Sequence, residues 1–317
     1  MPSSSKMTSG NFRTSSYVLG EGNTIKIHYY RSQPSKSEET EQARRMPILL
    51  LHGYPQTSFM WKEVVREMSG QYDLVVPDLR GYGRSSKPKG SETHVEYSKR
   101  EMANDMVNLM NGLGLECFDV VAHDRGARVA HRLILDHPGS VRRAMLIDIA
   151  PTLTTFESMD QDFATGYWHW FFQIMPSPLS ENIIKNAGDA YWEAVTHNAK
   201  AGNFQFDEGA ERMYKTALLT DDSIHATCED YRAAASIDLE HDRLSRQAGQ
   251  KIEVQALRII WGGRGQVEKT FGEKTIQVWK DCCDDKTPVS GEKYDAGHYI
   301  PEEKPEQLVK DIINFVS

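Results

Sequence analysis

The chain reads as an α/β protein: a mostly parallel sheet with helices on both faces and an inserted helical cap. Three observations predict it. Short apolar runs ending in turn residues alternate with stretches of helical spacing, as strands joined by crossover helices do. That alternation fails between Pro151 and about Ile237, where aromatic residues crowd a block of helical character. At 317 residues the chain is long for one ordinary domain and short for two large ones, which suits a single core carrying one insertion.

The elements follow in order. Residues 24–30 alternate like a strand, and residues 31–45, charged and holding one proline, read as an exposed loop. Residues 48–51 are an apolar run ending in His52-Gly53-Tyr54-Pro55, and residues 58–68 have helical spacing. Residues 74–77 are the next buried strand, followed by a turn-rich segment from Asp78 to Ser86. An amphipathic helix is expected over 99–113, strands over 118–122, 144–148 and 257–261, and a closing helix over 304–316. The core is therefore assigned to 1–150 and 238–317. The cap, 151–237, is assigned to the C-terminal edge of the sheet, where open α/β folds bind ligands. Residues 1–12 read as a disordered tail, since residues 1–11 are too polar and serine-rich for a signal peptide. Glycines at 81–83 and 262–265 do not complete G-x-G-x-x-G and read as turns.

The chemistry is signalled at 118–128, F-D-V-V-A-H-D-R-G-A-R. A strand, a tight turn and a helix follow one another directly, with small residues Ala122 and Gly126 flanking the turn. This resembles the nucleophile elbow of α/β-hydrolases, with Asp124 where serine usually stands and Ala122 in place of the usual first glycine. No G-x-S-x-G occurs in the chain, so a serine esterase has no elbow. A carboxylate at this point can attack an alkyl carbon and form an ester with the enzyme. The alternative is that Asp124 merely caps the following helix.

An aspartyl ester needs water to resolve it, hence a base and an acid to orient that base. His298, in a late loop before the final helix, occupies the base's place in the chain order. The acid has two possible homes. The turn after 257–261 offers no carboxylate until Glu268, whereas Asp148 ends the run Met145-Leu146-Ile147. A charge in so apolar a run is costly unless paired, which assigns the acid to Asp148, against the alternative that it caps a turn. The oxyanion hole is expected from the backbone N–H groups of Tyr54 and Arg125.

A net charge of −8 argues against nucleic acid or an anionic membrane as partner, and there is no transmembrane run. The cysteines, Cys117, Cys228 and the pair Cys282-Cys283, have neither disulfide-framework nor zinc spacing, and a reducing cytosol is the natural compartment. Asp281, Asp284 and Asp285 flank that pair, so a metal site is conceivable; a solvated loop is the stronger reading.

From about Thr24 onward the chain resembles the haloacetate (fluoroacetate) dehalogenases, within the group that includes epoxide hydrolases and haloalkane dehalogenases. H-G-Y-P at 52–55, D-L-R-G-Y-G-R-S at 78–85 and H-D-R-G-A-R at 123–128 carry the resemblance, with H-W at 169–170, D-Y-R-A-A at 230–234 and G-H at 297–298. It implies that Arg125 and Arg128 bind a substrate carboxylate and that His169, Trp170 and Tyr231 form a halide pocket. Without it, residues 168–172 read as cap packing, and Arg128 as the partner of a surface acid. The function implied is hydrolytic cleavage of a carbon–halogen bond in a small anionic 2-haloacid, with no metal or organic cofactor. Dimerisation is an expectation from the resemblance alone. The rival is an epoxide hydrolase using the same Asp–His–Asp set, with Tyr231 and either Tyr167 or Tyr191 protonating the epoxide. A non-catalytic receptor is the reading from another class.

Overall fold

The computed structural model describes residues 12–19, 25–34, 45–197, 199 and 204–317. An eight-stranded sheet runs in the order β1-β2-β4-β3-β5-β6-β7-β8. Strands β1 (Phe12–Val18) and β2 (Lys26–Ser32) are antiparallel to each other, and β2 is antiparallel to β4. All other pairings are parallel.

The centre of the sheet is written in runs without polar alternation. Strand β3 (Ile48–Leu51) is buried throughout, and so are β4 (Leu74–Pro77) and β5 (Phe118–His123). Strands buried on both faces need apolar residues on both, because helices cover each side. A short 3₁₀ turn, Ser58–Trp61, leads into α1 (Lys62–Met68), and α2 (Lys99–Gly112) begins where the Ser98 hydroxyl accepts the Glu101 N–H. Helix α3 (Asp124–Asp136) leaves β5 with no intervening loop and returns through β6 (Val141–Ile147).

Eight helices then follow without a strand among the described residues. They are α4 (Thr152–Glu157), α5 (Gln161–Gly166), α6 (Trp168–Gln173), α7 (Leu179–Ala187), α8 (Asp189–His197), α9 (Glu208–Leu218), α10 (Asp221–Ala234) and α11 (Ile237–Gln247). The core resumes with β7 (Ala256–Gly262), α12 (Gln266–Phe271), α13 (Thr275–Lys280), β8 (Val289–Tyr294), α14 (Ile300–Glu303) and α15 (Pro305–Val316).

Several expectations need correction. Residues 237–247 form one helix, α11, tied by polar groups to both parts of the chain: Asp238 accepts the Lys99 N–H and Asp242 the Leu153 N–H. The segment read as a loop from 31 begins inside β2, where Arg31 forms a two-point ion pair with Asp73. The rest of that loop, 35–44, lies outside the described residues, as do residues 1–11 of the tail; Phe12 already belongs to β1. Strands β1 and β8 were not foreseen. Both are sheet edges, and β8, Val-Ser-Gly-Glu-Lys-Tyr, is mostly exposed, as edges protected against further pairing are. No helix among the described residues is long and apolar enough to cross a membrane.

The fold brings the β3 turn and the start of α3 so close that only glycine fits between them. A Cβ on Gly126 would lie 2.3 Å from the His52 carbonyl oxygen, a backbone atom that cannot swing aside. Gly126→Ala is expected to lower stability by about 1–3 kcal/mol. Gly70→Ala, whose Cβ would meet nothing within 4 Å, should stay within about 0.5 kcal/mol of the parent. Urea unfolding of both variants checks the difference.

Candidate active site

The site begins with two backbone positions held in the left-handed region. Asp124, at the end of β5, has φ +48°, and Asp148, just past the neighbouring β6, has φ +55°. A non-glycine residue there is strained and persists only where its surroundings fix it. For Asp124 the surroundings are glycines: a Cβ on Gly53 would lie 2.4 Å from the Asp124 Cβ. The Tyr54 N–H then donates to Asp124 Oδ1 at 2.8 Å. A mere cap of α3 would not be gripped from a different strand's turn.

His298 bridges the two aspartates. Its Nδ1 lies 2.5 Å from Asp148 Oδ2, and its Nε2 lies 3.6 Å from Asp124 Oδ2. Asp148 Oδ1 accepts the Gly262 N–H at 2.9 Å, so that carboxylate cannot rotate away. Glu268, the other candidate acid, is turned to Trp261 and Lys293 instead. The His298 loop is itself tied down. Its carbonyl accepts from His123 Nε2 at 2.7 Å, and its N–H donates to the Ala199 carbonyl at 2.7 Å. Glu303 accepts the N–H groups of Gly297 and Tyr299. Burial pushes the His123 imidazole down to about 3, which keeps it neutral with its proton on Nε2. Sequence reasoning missed His123; its place one residue before Asp124 was the available signal.

Burial by itself would raise the Asp124 carboxyl, but the positive groups His298, Arg125 and Arg128 together hold it below the ordinary range. Burial by itself would lower His298, yet its hydrogen bond to Asp148 and the charges of Asp148 and Asp124 hold it above the ordinary value. The two shifts agree: each group favours the other's charged form.

The two arginines differ. Arg125 is fully buried, with Nε and Nη2 on the Asp230 carboxylate at 2.9 and 2.7 Å, and its Nη1 has no partner. Asp230 also receives the Tyr82 hydroxyl and the Lys99 ammonium, which reaches Asp238 as well. Most of the Arg125 donors are therefore engaged by Asp230. Arg128 is also buried, but it carries no ion pair among the described residues. Its Nη1 donates to Thr152 Oγ1 and the Ala150 carbonyl, and its Nε lacks a partner.

A cavity of about 40 Å³ lies over Asp124, walled by Tyr54, Tyr167, His169, Tyr231 and His298. On the other side of Tyr167 a second void of about 20 Å³ joins Asp124 to Arg128 and Trp170. His169, Trp170 and Tyr231 are thus gathered around Asp124, with the Tyr231 ring 5.7 Å from His169 and 6.0 Å from Trp170. Trp168 and Phe172, from the same helix, pack on Tyr191 instead. Burial lowers His169 to about 3, leaving it a neutral N–H donor. The Tyr191 hydroxyl pairs with that of Tyr54 at 2.9 Å, whereas Tyr167 lines both voids. All four cysteines are free, and no group of metal ligands occurs among the described residues.

A carboxylate nucleophile, a histidine with its own carboxylate, and cations beside them fit hydrolysis through an enzyme ester. The alpha/beta hydrolase fold family model matches residues 46–305. A fluoroacetate dehalogenase of Burkholderia sp is 37% identical over 273 residues, covering 85% of this chain and 86% of the relative. A soluble epoxide hydrolase of Corynebacterium sp. (strain C12) is 27% identical, covering 85% and 89%. A solved structure from Nostoc sp PCC 7120, assigned to the alpha/beta hydrolases, superposes with a TM-score of 0.85 at 39% identity, over 97% of this chain and 98% of that one. Buried carboxylate, histidine–aspartate pair and sequence kinship converge: the chain belongs to the alpha/beta hydrolase family and is a hydrolytic enzyme.

Proposed function

We propose that this enzyme is a hydrolytic dehalogenase of small 2-haloacids. The observation that carries the reading is Arg128, a buried guanidinium without a carboxylate partner among the described residues, in a void shared with Asp124. An anionic substrate supplies the missing charge. Arg128, helped by the unpartnered Nη1 of Arg125, holds the carboxylate and presents the α-carbon in attacking position. Oδ1 of Asp124 is held by the Tyr54 N–H, so Oδ2 attacks. The new C–O bond forms as the carbon–halogen bond breaks, and halide leaves with the electron pair among the N–H and O–H groups of His169, Trp170 and Tyr231. His298 then removes a proton from water, and the hydroxide adds to the Asp124 carboxyl carbon. The N–H groups of Tyr54 and Arg125 receive the charge on its oxygen. Collapse expels the alkoxide, which takes the proton from His298 to give the 2-hydroxy acid, and the Asp124 carboxyl loses the remaining water proton to solvent, restoring the carboxylate and the neutral imidazole.

A second reading, epoxide hydrolysis, is favoured by the pair Tyr167 and Tyr231. Both face the cavity, and burial raises both phenols well above the ordinary value, so each keeps its proton for donation. Halide release from fluoro- and chloroacetate, measured beside styrene oxide hydrolysis, separates the two. A cytosolic setting is consistent with four unpaired cysteines. An exposed apolar row on the insertion, Phe171, Met175, Leu179 and Ile183 at 38, 40, 50 and 46% exposure, supports a homodimer. Light scattering should give twice the chain mass, falling to one chain in Leu179→Glu.

Asp124→Asn is expected to lower halide release on the order of 10⁴-fold, as removal of a nucleophile does. His298→Gln should instead release one equivalent of halide and stop, leaving an adduct on the Asp124 peptide that mass spectrometry detects. Steady turnover by Asp124→Asn rejects the ester scheme.

The pH dependence has a definite sign. The base must be neutral, and His298 lies above its ordinary value partly because Asp124 is charged. Ester formation abolishes that charge and so favours loss of the His298 proton. The acid limb of ester breakdown in single turnover should therefore fall at lower pH than the His298 titration of the free enzyme followed by NMR. Coincident midpoints reject the coupling.

A further inference from the structure

We propose that Arg264 and Lys269 form a cationic port that draws small carboxylates into the cavity over Asp124. This rests on the dehalogenase reading of the same site and adds the route by which its anionic substrate is drawn in. The need for such a port is set by the chain itself, whose net charge of −8 repels an anion at long range.

The cavity over Asp124 is also lined by Arg264, in the turn after β7, and by Lys269, on α12. Among the described residues no carboxylate lines it except Asp124 at its floor. Lys269 is exposed and has no ion pair among the described residues. Its neighbour Glu268 is turned to Lys293 and Trp261. Arg264 meets Asp295 at 2.8 Å, but the two side chains are 53 and 75% exposed, so solvent screens that pair and it does not fix the guanidinium. Beyond Asp124, across Tyr167, the adjoining void holds Arg128. An anion entering here meets cations at the mouth and another past the nucleophile. Low-dielectric walls focus such a field, so a few mouth charges can outweigh the opposite charge of the whole surface.

The test is calorimetric binding of acetate and of its neutral isostere acetamide to the wild-type enzyme and to R264E/K269E, at about 20 and about 300 mM salt. Acetate affinity should fall about 3–10-fold on charge reversal and fall with salt in the wild type, while acetamide binding stays unchanged. R264Q/K269Q should lie between with a weaker salt dependence than the wild type, and unchanged acetamide binding shows that the variants keep the folded site. Acetate affinity indifferent to both salt and variant overturns the port; so does a parallel loss for acetamide, or no acetate binding at all. Chloroacetate turnover is scored separately. Salt-dependent acetate binding without any halide release leaves the port standing and removes the dehalogenase reading.

Discussion

Burial alone would drive a proton onto Asp124; instead the carboxylate is held charged by His298, Arg125 and Arg128, with the Tyr54 N–H on one oxygen. Much of the surrounding design follows from that one requirement. A buried cation placed to stabilise Asp124 needs a counter-charge of its own, since unpaired ions inside a protein are costly. For Arg125 it is Asp230, and Asp230 in turn gathers Lys99 and Tyr82, with Asp238 beyond Lys99. The chain of charges runs from the start of α3 through α10 to α2 and α11, so the nucleophile's electrostatics and the seating of the helical insertion are one network. Arg128 stands outside it, held by a hydroxyl, a carbonyl and the face of the Trp170 ring, 4.7 Å from its guanidinium carbon. The neighbouring arginines thus differ in kind: one is locked in an ion network, the other carries no ion pair among the described residues.

The same device is used twice in the backbone. Asp124 and Asp148 end adjacent parallel strands, and both adopt positive φ, which turns each carboxylate back toward the sheet edge where His298 arrives. Each such residue costs of order 1–3 kcal/mol. Close approach on every side over-determines the arrangement. A Cβ on Gly262 would strike the Gly297 carbonyl oxygen at 2.0 Å, and one on Gly53 would strike Asp124. The glycines of this site therefore act mainly by their missing side chains: they let three loops meet within hydrogen-bond distance of one imidazole.

How much of this was legible in the sequence depended on whether a residue's role left a local mark. Strands β3, β4 and β5 were plain because burial on both faces forbids polar residues. Asp148 was legible for the converse reason, a charge at the end of an apolar run, and His298 by its position before the last helix. The edge strands β1 and β8 face solvent and carry no apolar pattern, so nothing distinguished them from loop. Asp230 and His123 were invisible as functional residues because their partners lie 105 and 175 residues away, a separation no periodicity encodes. Tyr167 and Tyr191 looked equivalent until geometry separated them, one facing the nucleophile and the other bonded to Tyr54.

The insertion is fastened to the core by polar side chains around the site: Tyr191 to Tyr54, Asp230 to Arg125, and Tyr214 with Gln56 to Glu302. Lifting it as a lid would strand Arg125 and Asp230 without each other, a buried pair whose separation costs about 3–5 kcal/mol. A weaker seam lies between α5 and α12, where Gly166 faces Gln266 closely enough that a Cβ would come 2.7 Å from the flexible Gln266 amide oxygen. Both residues line the cavity over Asp124. The void over Asp124, only about 40 Å³, is walled by aromatic side chains, of which Tyr54 is tied to Tyr191 of the insertion.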